Sequence, residues 1–302
     1  MRPEVIGLGN CAADFLAIVS HYPKLDERIR ISQLQRQGGG EVAIALAALS
    51  RLGISASFIG KIGDDDLGVF IRNEFSEEGV DISHLIIEKN KNSLFAFCVV
   101  DKKSAKRTIF WDKETSPIRE EELDKDFITS ARILHLDEYE AKASLVAAKW
   151  ARESGMRIVL DIDKFNAQSE ELIKASDILI GSENFARYFD SRDNSKAAEK
   201  ILLLGPEIVV ITLGNKGCLC KSKNKCFVHS PFKVKVVDTT GAGDAFHGAF
   251  IYGMLKKWNL EKIAEFSNAV AAINCTKLGG RSGLPNLKEV NKFLDEKRGK
   301  LK

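Results

Sequence analysis

Short apolar runs alternate with helix-length segments along almost the whole chain, and this alternation limits the possible folds more than any other feature. Such runs are buried on both faces, which requires a mostly parallel sheet covered by helices on each side. The pattern predicts strands at Val5–Gly9, Ser57–Ile62, Ile133–Leu136, Arg157–Asp161, Ile178–Ile180, Ile208–Leu213 and Cys218–Lys221. Helical spacing predicts helices at Glu41–Leu52, Asp66–Glu78, Ala141–Ser154, Ser182–Asp190, Ser195–Leu204, Ala242–Lys256, Leu260–Leu278 and Leu287–Glu296. Two segments break the alternation. Ile29–Gln35, and the pair Leu94–Val100 and Lys106–Trp111 joined by the polar turn Asp101–Ala105, read as antiparallel strands with no helix between them. A small second sheet is therefore expected. No repeat, low-complexity tract or linker divides residues 1–302, so one α/β domain with an inserted lid, at about 12–37 and 84–111, is the expected organisation.

The most informative local pattern is Val237-Asp-Thr-Thr-Gly-Ala-Gly-Asp-Ala-Phe-His-Gly-Ala249. It sets Gly241-Ala242-Gly243 at the mouth of an apolar helix and an acid, Asp244, in its first turn. A helix N-terminus offers unpaired N–H groups and the positive end of the dipole, and the glycines let a phosphoryl group come close. An attacking alcohol also needs a proton acceptor, which Asp244 would supply from the same turn. Phosphoryl transfer to a hydroxyl is the chemistry suggested. The alternative is a well-capped core helix with Asp244 serving only the dipole.

Three further clusters fit such a site less specifically. Gly38-Gly39-Gly40 stands before an apolar helix, where it is either a flexible turn or a place for close backbone approach to hydroxyls and anions. Asn10 and Asp14, near the end of the first strand, are side chains that bind sugar hydroxyls or cap turns. Thr212-Leu-Gly-Asn-Lys-Gly217, between two apolar runs, is a nucleotide-side loop or a hairpin turn. Gly63-Asp-Asp-Asp-Leu-Gly68 lacks the alternating acids of a calcium loop and reads as a helix N-cap.

Several classes are disfavoured. There is no G-x-x-x-x-G-K-[S/T] of a P-loop kinase and no G-x-G-x-x-G after a strand. With 45 basic and 42 acidic residues the formal charge is +3, too small to argue for a nucleic-acid or membrane partner. The six cysteines lie mostly in strand or helix patterns, without a fourth Cys or His at zinc spacing, so reduced thiols and no protein-held metal are expected. No leader-like or membrane-length apolar run is present, and a cytoplasmic protein is the expectation.

In order, Asp14, the Gly-Gly before a helix ending in Arg51-Leu-Gly53, Gly63-Asp-Asp65, Thr212-x-Gly214-x-x-Gly217 and Asp238-Thr-x-Gly-Ala-Gly-Asp244 resemble the ribokinase (PfkB) family of carbohydrate kinases over nearly the whole chain. The resemblance implies a three-layer α/β/α ribokinase-like fold with a small β-sheet lid. It implies ATP-dependent phosphorylation of a sugar, with Asp244 as base and the amides of Gly241, Ala242 and Gly243 as anion hole. Asp14, Gly38 and Gly39 correspond to sugar-side positions, where Asn10 is a further candidate, Thr212, Gly214 and Gly217 correspond to the nucleotide-side loop, and Asn268 lies in the helix that in relatives flanks the adenine. Mg²⁺ would bridge the ATP phosphates mainly through water. A monovalent cation beside Asp238 and Thr240, found in many relatives, stays open.

Within the family, Ser20-His-Tyr-Pro-Lys24, Asp26 and Ile29-Arg-Ile-Ser-Gln33 look like the ketohexokinase branch, which implies a fructose-type ketose and a homodimer paired through its lids. Ser182-Glu-Asn-Phe-Ala186 stands where many members carry an N-x-x-E motif that organises magnesium-bound water. Gly40 and Ala43, with Ile44 beside them, stand near the places where sugar-binding asparagines are usual. Arg107 on the lid either holds a charged group of the sugar or is a solvated strand residue. A nucleoside kinase of the same fold and a non-catalytic sugar-binding protein are the competing readings. The intact Gly-Ala-Gly-Asp argues against the second, since a binding protein needs no base at an anion hole.

Overall fold

The computed structural model describes residues 2–299 apart from Ala105 and Ala167. Its main sheet has eight strands in the order β14(Lys225–His229), β13(Cys218–Ser222), β12(Ile208–Thr212), β11(Ile178–Ser182), β10(Arg157–Ile162), β9(Ile133–Leu136), β1(Val5–Leu8), β4(Ala56–Ile59). From β12 to β4 the pairing is parallel, while β13 and β14 close that edge as an antiparallel hairpin.

Successive residues of each central strand feed opposite cores, as a doubly covered sheet requires. Val5, Ile133, Val159, Ile180 and Val210 join α1(Glu41–Arg51), α2(Asp66–Glu77), α8(Ala242–Leu255), α9(Leu260–Asn274) and α10(Leu287–Gly299) on one face. Ile6, Leu134, Leu160, Leu179 and Val209 join α3(Lys125–Ile128), α4(Ala141–Glu153), α5(Ser169–Ala175), α6(Glu183–Ala186) and α7(Asn194–Leu202) on the other. The expected three layers are present.

A separate four-stranded sheet forms the lid, in the order β3(Gln33–Gly39), β2(Ala12–Val19), β7(Phe95–Asp101), β8(Arg107–Asp112). Its hairpin β7–β8 is antiparallel as expected, and Asp101 Oδ1 begins the turn by accepting from the amides of Lys103 (2.9 Å) and Ser104 (2.7 Å). Ala105, expected to end that turn, lies outside the described residues.

Elsewhere the boundaries move for local reasons. The strand expected at Ile29–Gln35 starts at Gln33 and runs to Gly39, because β2 offers it a full ladder from Ile18 to Ala12. The run Ser57–Ile62 breaks at Gly60 into β4 and β5(Lys61–Gly63), and β5 pairs with β6(Ile86–Glu88), so this part of the segment 84–111 lies outside the lid sheet. The helix expected over Ser182–Asp190 is a single turn, capped by Ser182 Oγ accepting from Phe185 N at 3.3 Å.

Asp65 caps α2 as expected, accepting from Gly68 N at 2.9 Å. Helices α1 and α8 begin differently. Their N-caps are Gly40 (φ 99°) and Gly241 (φ 71°), with no capping side chain. A Cβ at either position would lie 2.3 Å from Asn10 O or 2.4 Å from Gly280 Cα, so only glycine lets these helices start where they do.

Between the sheet and the lid, Phe75 of α2 is fully buried and stacks on Phe58 with ring centroids 4.7 Å apart. Phe75→Ala should lower the stability by about 3–5 kcal/mol, the range for emptying a buried aromatic site. Urea unfolding followed by circular dichroism checks this, and a loss below about 1 kcal/mol would contradict the packing described.

Candidate active site

In an open parallel sheet, ligands bind beyond the carboxyl ends of the strands, where backbone groups are unpaired and loops diverge. Here those ends lead into Asn10 after β1, Tyr139 after β9, Asp163 and Lys164 after β10, Glu183 after β11 and Gly214 after β12. With the lid above and the starts of α1 and α8 below, they enclose a cavity of about 1260 Å³. That exceeds the roughly 300–1000 Å³ typical of a single small-ligand pocket, leaving room for two small molecules.

At the centre lies the turn into α8. Its first i→i−4 bond runs from Ala245 N to Gly241 O (2.9 Å), and Ala242 N makes a long 3.3 Å contact to Thr239 O. The amides at the start of α8 therefore precede its hydrogen-bond ladder and open on the cavity together with Asp244. His247, one turn on, steadies the turn: its Nδ1 lies 2.7 Å from Gly243 O and its Nε2 3.3 Å from Asp161 Oδ1. Burial pushes the Asp244 carboxyl well above the usual carboxylate range, and the nearby charges of Glu41 and Asp163 push it the same way. Arg107 acts in the opposite sense.

One end of the cavity carries Asn10, Asp14, Glu41 and Tyr139. Asn10 is held by its amide donating to Asp137 Oδ2 (2.9 Å) and by Lys113 Nζ donating to its Oδ1 (3.0 Å). Asp14 projects from β2, and burial with the charge of Glu41 raises its carboxyl to about 7. Arg107 of β8 lines the same space, its guanidinium donating to Thr239 Oγ1 at 3.3 Å.

The other end is bounded by the loop Thr212–Gly217 and by apolar groups including Phe232, Val234, Ala271 and Ala272. Asn268 lines this end, yet its amide nitrogen is turned inward to Ala264 O (3.0 Å), His229 Nδ1 (3.1 Å) and Cys218 Sγ (3.2 Å).

Two expected sugar-side residues stand behind the cavity wall, beside the lining residues Asp14 and Gly40. Gly38 and Gly39 are the last residues of β3, not a turn, and neither is among the cavity-lining residues. Gly38 donates its amide to Glu74 Oε2 (2.8 Å), and its missing side chain leaves room for the Arg281 guanidinium. Gly39 leaves room for the Asp14 carboxylate. The glycines shape the site from behind.

The loop after α9 is fastened to both the lid and the turn. Gln37 of β3 donates to Leu278 O (2.8 Å) and Ser282 Oγ (2.8 Å) and accepts from Arg281 N (3.0 Å). Asp238 accepts from Thr240 N (3.0 Å) and Thr240 Oγ1 (3.0 Å) through one oxygen and from Gly279 N (2.8 Å) through the other.

Glu41, Glu138, Tyr139, Asp161, Asp163, Lys164 and His247 were not singled out by the sequence reading. A signal existed for most of them. Leu136-Asp-Glu-Tyr-Glu140 and Leu160-Asp-Ile-Asp-Lys164 put acids directly at the carboxyl ends of apolar strands, where an open sheet gathers its ligands.

The sequence profile of pfkB family carbohydrate kinases matches residues 3–287. Ribokinase of Haemophilus influenzae is 30% identical over 98% of this chain and 99% of its own length. 5-Dehydro-2-deoxygluconokinase of Clostridium botulinum is 27% identical over 98% of this chain and 94% of its own. The structure of Arabidopsis thaliana ribokinase complexed with ribose and ATP superposes with a TM-score of 0.85 at 25% identity, covering 97% of this chain and 99% of that one. The expected ribokinase-like fold is therefore present, and the chain belongs to the pfkB family of carbohydrate kinases, enzymes that phosphorylate sugars at the expense of ATP.

Proposed function

We propose that this kinase works as one domain with its lid, binding a monosaccharide at the Asn10–Asp14 end and ATP at the Thr212–Gly217 end. Asp244 takes the proton of the acceptor hydroxyl while the amides of Gly241, Ala242 and Gly243 receive the transferred phosphoryl group. The observation that carries this reading is the opening of Asp244 and the uncapped start of α8 onto the middle of one cavity with two chemically distinct ends. A ketose of the fructose type is the favoured acceptor, on the Ser20–Gln33 pattern. Ribose is the second, on the names of the ribokinase relatives.

Asp161, Asp163 and Glu183 line the cavity with the hard oxygen donors that Mg²⁺ takes, and Asp161 Oδ2 is buried without a partner. Mg²⁺ brought in with ATP supplies charge neutralisation on the phosphates. Among the described residues no three metal-ligating side chains converge on one point, so these acids would act mostly through ordered water. A monovalent cation beside Asp238 would share that carboxylate with Thr240 and Gly279.

The lids favour pairing with a second copy. Edge strand β8 is exposed along its length, with Phe110 52% and Trp111 63% accessible, and Leu34 on the opposite edge strand is 59% accessible. Apolar edge strands invite strand-to-strand association. Light scattering during gel filtration at micromolar concentration should give twice the 33.4 kDa of one chain. A single-chain mass with full activity would exclude the dimer.

ADP release across fructose, ribose, other hexoses and nucleosides tests the reaction itself. Asp244→Asn should lower kcat with the preferred sugar by about 10² or more and leave ATP affinity nearly unchanged. Near-normal turnover in that variant would refute the assignment. Because burial favours the neutral acid, Asp244 becomes a base only once it ionises. Turnover should therefore rise with pH through an apparent pKa above the ordinary 3.8 of an aspartate. A pH–rate profile that levels off at the ordinary value would contradict this electrostatic description.

A further inference from the structure

Glu41 has no part in the reaction proposed above, yet it stands in the middle of the site. It is the first residue of α1, directly after the positive-φ Gly40, and it lines the cavity. Burial raises its own carboxyl above the usual carboxylate range, while its own amide and the Tyr139 hydroxyl act in the opposite sense. Its charge reaches nearly every other acid here, raising Asp14, Asp137, Glu138, Asp161 and Asp244 alike. Two of these acids hold buried oxygens without a partner, Glu138 Oε1 and Asp161 Oδ2, with the residues 8% and 6% accessible.

At the acceptor end Asp14 and Glu41, with Asp244 beside them, face Arg107 and Lys164 among the cavity-lining residues, while the buried Arg281 lies behind Asp14 and Lys113 holds Asn10. Lys216 and Lys233 line the cavity as well, and the first belongs to the loop at the nucleotide end. A sugar hydroxyl gains from such a wall, because a carboxylate accepts its proton in a charge-assisted hydrogen bond. A phosphate or carboxylate on the sugar would be placed against the Glu41 charge and would push the already raised Asp14 and Asp244 carboxyls further from ionising.

We infer that Glu41 is a specificity-determining residue that binds hydroxyls of an uncharged sugar and excludes acceptors bearing a phosphate or a carboxylate. This rests on the reading of the Asn10–Asp14 end as the acceptor site. Charge alone, without any change of fold, then separates this chain from acid-accepting and phosphate-accepting chemistry.

Calorimetric titration of the full chain tests it without turnover. Paired probes differ mainly in charge: D-fructose against D-fructose 6-phosphate, and D-ribose against D-ribose 1-phosphate. The neutral member should bind about a hundredfold more tightly, and Glu41→Gln should narrow that ratio about tenfold. Glu41→Asp should preserve most of the discrimination, which a merely structural role would not predict. Should Glu41→Gln not fold, Glu41→Ala serves in its place. Equal binding of charged and neutral members, failure of every neutral probe to bind, or an unchanged ratio in the variant would overturn the inference. ADP release on the same samples separates the two readings: a neutral sugar that binds with the expected charge discrimination but is not phosphorylated refutes the reaction and leaves Glu41 standing.

Discussion

Uncapped helix starts govern this molecule. Each α-helix leaves its first amides without an internal acceptor, and most chains satisfy them at once with Ser, Thr, Asp or Asn. Asp65, Asp193 and Asn259 do so for α2, α7 and α9. At α1 and α8 the cap is a glycine at positive φ, and the donors are left facing a cavity. The α8 donors would find their acceptor in a phosphoryl group, so the missing cap is inseparable from the chemistry. The lid above and the loop at Gly280 behind keep that helix start in one place.

The same enclosure sets the electrostatics. Removing carboxyls from water favours their neutral forms, and crowding several together adds like-charge repulsion in the same direction. Asp14 and Glu138 are raised to about 7, and Asp161 and Asp244 well above the usual range. For the ligand-free protein the sign is clear. Such acids hold protons in the folded state that the unfolded chain has released. Their contribution therefore favours folding most at low pH and is lost as pH rises from the ordinary carboxylate range to the raised values. A site built this way gives up stability for reactivity near neutral pH, as active sites commonly do.

The layers were readable because burial on both faces leaves an unbroken apolar run, and Val159 and Leu160 feeding opposite cores show the cause directly. The α8 turn was readable because glycine at Gly241 and an acid three residues later have few joint uses. Gly38 and Gly39 were legible as important but not in what they do: whether a glycine meets a ligand or clears space for Asp14 and Arg281 depends on contacts made across the chain. Glu41 escaped notice for a related reason. An acid in the first turn of a helix is ordinary dipole chemistry, and only the assembled cavity shows which carboxylates it confronts.

Gln37 ties this together mechanically. Through it the lid strand β3 is bolted to Leu278, Arg281 and Ser282, on the loop whose Gly280 abuts Gly241. That edge of the lid cannot lift as a free flap without dragging the cradle floor along. On the opposite edge Arg107 of β8 reaches the same turn through a long 3.3 Å hydrogen bond to Thr239 Oγ1, so the lid is held at both edges and most firmly through Gln37.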